Sequence, residues 1–203
     1  MRMETMVLWA TVLFFGLAIL WPIARLWWNT GVFGVVLERK QDPLQAFVGA
    51  AFPLSMSAFA VWAVVLYALG GARLGVWQGP VWVQNVGWTT FVFAVLLTVA
   101  AQANMGASWR IGIDAKPTAL IAGGLYAFVR NPIYTGILAM LAGLVLIAPS
   151  AWTILGFANV WLSVGMQARL EEIHLEKVHG AEFRAWASRV GRFLPGLGRL
   201  DPL

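Results

Sequence analysis

Two stretches of this sequence hold polar groups at spacings that could do chemistry. The first runs Gly124-Leu125-Tyr126-Ala127-Phe128-Val129-Arg130-Asn131-Pro132-Ile133-Tyr134-Thr135-Gly136 and sets a cation, an amide and two phenols at the mouth of an apolar run. Pro132 stands where a helix can begin, because its missing N–H and fixed φ suit the first helical turn, and Asn131 before it is placed as an N-cap. The second is Gln167-Ala168-Arg169-Leu170-Glu171-Glu172-Ile173-His174-Leu175-Glu176-Lys177. On a helix, Gln167 shares a face with Glu171, and Arg169 with Glu172. Arg169, Glu172 and Glu176 read as surface ion pairs worth under about 1 kcal/mol each. Glu171 reads differently: it has apolar Leu170, Ile173 and Leu175 around it and stands close to a bilayer, where a carboxylate needs a partner or a ligand. The chain has no cysteine, which removes thiol nucleophiles, disulfides and zinc thiolates together. His174 and His179 are five apart, off a common helix face, so no metal site is expected.

The elements that position these groups must lie in lipid. Of 203 residues, 60% are hydrophobic and 11% charged, with twelve Trp and twelve Phe against three Tyr. A soluble domain runs near 45–50% apolar and about 25% charged, so a soluble globular protein is excluded. The expected fold is an all-α membrane protein with five transmembrane helices, over about 6–28, 44–69, 83–103, 133–148 and 151–168. The first run is too long, and lacks the small-residue cleavage site, for a removable signal peptide. Pro22 and Arg25 interrupt it near its end. Only Pro149-Ser150 separates the fourth and fifth spans, which predicts a tight antiparallel hairpin. Thr118 to Phe128 is apolar but about eleven residues long, too short to span, and reads as an interfacial or re-entrant piece. Gly136 and Gly143 lie about two turns apart on one face of the fourth span, placed for close helix packing. Trp27, Trp28, Trp77, Trp82, Trp88 and Trp109 fit interfacial belts.

Charge gives the orientation. With five spans and the amino terminus outside, the cytoplasmic side receives Arg25, Arg39, Lys40, Arg110, Lys116, Arg130, Arg169, Lys177, Arg184, Arg189, Arg192 and Arg199, and the outside only Arg2 and Arg73. Twelve against two is the asymmetry expected of a bacterial inner-membrane protein with its carboxyl end in the cytoplasm. The net charge of +5 is therefore a topology signal, not a nucleic-acid footprint. The chain reads as one integral membrane domain, 1–203, with its polar chemistry in 104–134 and 167–195 flanking the last hairpin on the same side.

The two polar clusters together resemble the membrane methyltransferases that include isoprenylcysteine carboxyl methyltransferases and phospholipid N-methyltransferases. That family's pattern is Gly-x-Tyr, then Arg-His-Pro-x-Tyr-x-Gly, a helical hairpin, Glu-Glu, Gly-x-x-Phe/Tyr, and a basic stretch ending in Leu-Pro. Here Gly124 to Gly136, Glu171-Glu172, Gly180, Phe183, Trp186, Val190, Arg192, Phe193, Leu194 and Pro195 follow it, and Met105 to Arg110 resembles the segment preceding the motif in bacterial members. Two positions depart from it: the family's His is Asn131, and the Arg that isoprenylcysteine enzymes place four residues before the cofactor Glu is Gln167. Asn131 keeps hydrogen bonding but cannot act as a general base. Gly196-Leu197-Gly198 reads as a tail loop.

The resemblance implies the cofactor S-adenosyl-L-methionine, with contacts carried over to Leu120, Ile121, Tyr126, Arg130, Asn131, Pro132, Tyr134 and Glu171. It implies direct methyl transfer to a lipid-like or small membrane-soluble nucleophile in a cytoplasm-facing cavity. Gln167 and Arg169 are the substrate-side candidates, and Arg110 and Arg169 the candidates for a catalytic group. The implied partners are the lipid bilayer and a hydrophobic substrate, with no nucleic acid and no metal. Sterol-type membrane reductases, which bind NADPH, resemble the same carboxyl-terminal pattern but show Asn-Tyr where this chain has Ile133-Tyr134. A non-catalytic membrane protein of the same fold is the remaining alternative.

Overall fold

The computed structural model describes residues 1–31, 43–106 and 120–201. Its elements are α1 (Met3–Phe15), a π-helical turn (Gly16–Leu20), α2 (Trp21–Thr30), α3 (Pro43–Leu69), α4 (Val81–Met105), α5 (Pro132–Ile147), α6 (Ala151–His179) and α7 (Ala181–Ala187), with 3-10 turns at Gly71–Leu74 and Gly124–Ala127. Among the described residues there is no strand, only two isolated bridges. Among the described residues, three helices are long and apolar enough to cross a membrane: Met3–Thr30, Pro43–Leu69 and Val81–Met105. Pro132–Ile147 is a shorter apolar helix, and α6 is a single 29-residue helix whose second half carries the charged cluster.

The first long helix is continuous but locally widened, and the cause is readable. Pro22 has no N–H to give the carbonyl of Ala18 four residues earlier, and an unanswered carbonyl is costly in hydrocarbon. Gln102 on α4 supplies the missing donor, its Nε2 lying 2.6 Å from Ala18 O. The π turn over Gly16–Leu20 sits at the same place, as expected where an i→i−4 ladder is interrupted.

Glycine governs the contact of α4 with α5. A Cβ on Gly87 would stand 2.8 Å from the carbonyl oxygen of Gly143, and one on Gly143 equally close to that of Gly87. A Cβ on Gly136 would meet Thr98 Oγ1 at 2.1 Å. The face predicted for close packing thus meets α4, backbone against backbone. The hairpin between α5 and α6 is as tight as the two-residue linker requires, and Ser150 closes it with a capping box to Thr153. One large core joins α1, α3, α4, α5 and α6 through side chains such as Phe14, Leu66, Phe91, Leu141 and Val160.

Contacts between loops sort the helix ends into two groups. Glu4 accepts from Gly71 N at 3.2 Å, and Trp77 N donates to Pro149 O at 2.7 Å, which gathers the start of α1, the α3–α4 connection and the hairpin turn at one end. At the other end Asn104 Oδ1 accepts from Leu125 N at 2.8 Å, joining the end of α4 to the turn before α5. Of the stretch read as interfacial or re-entrant, 118 and 119 lie outside the described residues, and the rest is non-helical chain ending in the Gly124–Ala127 turn.

Candidate functional site

The segment entering α5 is tied down by the chain that follows α7. Arg130 N donates to Gly191 O at 2.8 Å, Asn131 N to Arg192 O at 3.1 Å, and Thr135 Oγ1 to Phe193 O at 2.8 Å. Trp186 Nε1 donates to Tyr126 O at 3.1 Å. Pro132 is the first residue of α5 and Asn131 holds the N-cap position, as its sequence predicts. The Asn131 side chain makes no capping bond, however; its Nδ2 donates to Arg192 O at 3.3 Å, drawn there by the same tail.

Beneath this turn lies a buried charge network. The Glu172 carboxylate, 2% exposed, accepts from Arg130 Nε at 3.0 Å and Nη2 at 2.9 Å, and from Arg192 Nε at 3.0 Å and Nη2 at 2.7 Å. Arg130 also donates through Nη1 to the carbonyls of Ala187 and Val190 and through Nη2 to that of Gly198. Its five N–H donors are all engaged, which is what allows a guanidinium to be buried. The expectation of a solvated Glu172 paired with Arg169 is corrected here: Arg169, with its side chain half exposed, stands 3.8 Å away at the rim, and Glu172 is the centre of the network. Glu176 pairs with Arg184 instead. Two cations twenty and forty-two residues distant turn a surface-looking carboxylate inward, and only the tail's return made that possible.

The neighbouring carboxylate faces another way. Tyr134 Oη donates to Glu171 Oε1 at 2.6 Å, and Gln167 Nε2 to the same oxygen at 2.9 Å. Glu171 Oε2 accepts from no described residue, so one carboxylate oxygen remains open. Glu171 lies past the apolar stretch of α6; burial raises its carboxyl above the ordinary 4.5, the bonds from Gln167 and Tyr134 oppose that rise, and the Glu172 charge adds to it. Tyr126 is buried, and burial followed by the nearby Glu171 charge holds its phenol well above the ordinary 10, a neutral donor. Tyr126 forms an apolar cluster with Phe183, Trp186, Ala187 and Val190, against which Leu120 and Ile121 pack.

The structure therefore brings Leu120, Ile121 and Tyr126 into one apolar wall. Tyr134, Gln167 and Glu171 form a polar trio, and Asn131 and Pro132 stand at the start of the helix that carries Tyr134. Arg110 lies outside the described residues. Sequence reasoning did not foresee Trp186 and Phe183 as walls of the site, nor Arg192 as a partner of Glu172. Their signal was the basic, aromatic tail, which identifies no partner by itself.

Residues 82–182 match the family described as phospholipid methyltransferase. No curated protein and no solved structure matches the chain. The matched stretch runs from α4 to the start of α7 and contains the Tyr126 turn, the α5–α6 hairpin and the Glu171-Glu172 pair. Its apolar helices make this an integral membrane protein, and over residues 82–182 the chain is a member of the phospholipid methyltransferase family.

Proposed function

We propose that this protein is an S-adenosyl-L-methionine-dependent methyltransferase acting on a lipid-like nucleophile. The observation that carries the reading is the open Oε2 of Glu171, held beside Tyr126 and Tyr134 while every donor of Arg130 is engaged elsewhere. The residues fit the group. Leu120, Ile121 and Tyr126 offer an apolar and aromatic wall for an adenine, and Glu171 Oε2 offers an acceptor for ribose hydroxyls or an ammonium. Asn131, with its backbone fixed by Arg192, offers an amide, and half-exposed Arg169 offers a cation for a carboxylate. Arg130 serves as a positioning residue, holding the tail against the turn rather than touching a ligand. S-adenosylmethionine, when bound, supplies an electrophilic methyl on a sulfonium. The protein's own part is alignment and water exclusion, which the buried network and the Trp186 wall perform.

The same reading includes five spans with the amino terminus outside and the site at the cytoplasmic face. The sorting of helix ends supports it, because Arg2 and Arg73 fall at the end holding the hairpin turn, and Arg130, Arg169 and Arg192 at the other. Retention of radiolabelled S-adenosylmethionine and of NADPH by the detergent-purified protein tests the function. The first is expected to bind and the second not; binding of NADPH, or of neither, overturns the proposal.

A further inference from the structure

A groove runs along the bilayer-facing side of the molecule where α3 packs on α6, walled by Phe47, Ala51, Leu54, Leu162 and Met166. It is apolar except for Ser55, Asn159 and Ser163. Asn159 sits near the middle of the apolar half of α6, exposed, and in contact with Ser55. Ser55 Oγ also lies 2.7 Å from Ala51 O, and its single proton cannot serve both. If the proton goes to Asn159, the amide keeps two free N–H groups; if it goes to Ala51, Asn159 donates one N–H to Ser55 and keeps the other. In both cases at least one amide N–H faces the groove without a partner among the described residues. Such a donor in hydrocarbon is costly unless something in the groove accepts from it.

The two helices that wall the groove also carry residues that touch the site described above. Phe52, next to Ala51, meets the ring of Tyr134 edge-on with centroids 5.8 Å apart, and Gln167, next to Met166, donates to Glu171. Asn159 precedes Gln167 by eight residues of one helix, a rise of about 12 Å. From a headgroup amine through a phosphodiester and glycerol to an acyl carbonyl is about ten bonds, roughly 12 Å when extended. An isoprenoid chain of similar reach offers no oxygen there.

We infer that the Ser55–Asn159 pair is a lipid-binding subsite that donates a hydrogen bond to an acyl-ester carbonyl, and so selects a glycerophospholipid over an all-hydrocarbon chain. The inference rests on the methyltransferase reading for the place of the headgroup. Its test uses the full chain in nanodiscs holding equal amounts of diacyl phosphatidylethanolamine and its dialkyl-ether analogue, with retained lipid identified by mass spectrometry. The parent is expected to enrich the diester about three- to tenfold, the scale of one hydrogen bond. Asn159→Leu should abolish the enrichment and Ser55→Ala should reduce it, with S-adenosylmethionine retention unchanged as the check on folding. Equal retention of the two lipids by the parent overturns the inference. So does enrichment that survives both substitutions, or Asn159→Leu splitting an oligomer while the enrichment persists. Enrichment without S-adenosylmethionine binding would remove the methyltransferase reading and leave the subsite standing; binding without enrichment would remove the subsite alone.

Discussion

Glu171 and Glu172 are adjacent in the chain, yet the helix turns one toward Tyr134 and Gln167 with one oxygen unbonded among the described residues, and the other into a cage of guanidinium groups. Glu171→Gln should weaken S-adenosylmethionine binding by about 1.5–3 kcal/mol, the scale of a charged hydrogen bond, with little change in thermal stability. Glu172→Gln should instead destabilise the fold by about 3–5 kcal/mol, because Arg130 and Arg192 lose the charge that compensates them. Cofactor titration and thermal unfolding of both variants check this, and equal effects on binding with equal stability would contradict it. The raised Glu171 pKa adds a pH dependence. The folded state holds this proton more tightly than the unfolded chain, so its contribution to stability grows as pH falls through the raised value toward 4.5. Cofactor affinity should fall over the same window, and Glu171→Gln should flatten both. Asn131 carries a third expectation. Asn131→Ala should cost about 1–3 kcal/mol in cofactor binding, whereas Asn131→His should retain binding and add a transition near roughly pH 6–7. Binding by Asn131→Ala equal to the parent would reduce this turn to a helix start.

Helices α4 and α5 meet where glycine lets backbone touch backbone, and that contact sets the angle at which α5 presents Tyr134. Gly143→Val should therefore destabilise the detergent-solubilised protein by about 1–3 kcal/mol or more, since the intruding atoms meet a carbonyl rather than a flexible side chain. Gln102→Leu should cost about 1–3 kcal/mol by leaving the Ala18 carbonyl unanswered. Thermal unfolding checks both. The glycine pair was legible in the sequence, because periodicity places Gly136 and Gly143 on one face and small residues have few other uses there. The answer to Pro22 was not, because Gln102 lies 84 positions from Ala18 and nothing local distinguishes it from any glutamine near a helix end. The Glu172 network was hidden for the same reason: helical spacing pairs Arg169 with Glu172, and a tail that folds back to bring Arg192 has no local signature.

For the whole molecule, composition and span length fixed the class before any contact was known, whereas the number of crossings depends on how the last two helices are treated. Three helices satisfy length and hydropathy together; α5 is shorter, and the apolar half of α6 is diluted by Asn159 and Gln167. Those same polar residues belong to the groove and the site, so function and a weak span signal have one cause. The proposed five-span arrangement has the hairpin cross as well, which accords with the hydrogen bond of Trp77 to Pro149 at the end of the bundle opposite Arg130 and Glu172. A return to the first side then places the charged half of α6, α7 and the tail together with the basic residues. A phosphatase that is active only outside the cytoplasm should thus be inactive when fused after Leu203, and a fluorescent reporter at the same place active. One inserted after Gly75, in the connection that holds Arg73, should give the reverse. An exported carboxyl-terminal fusion would invert the molecule, carrying Glu171, Tyr134 and Gln167 to the side of the membrane where S-adenosylmethionine is not made.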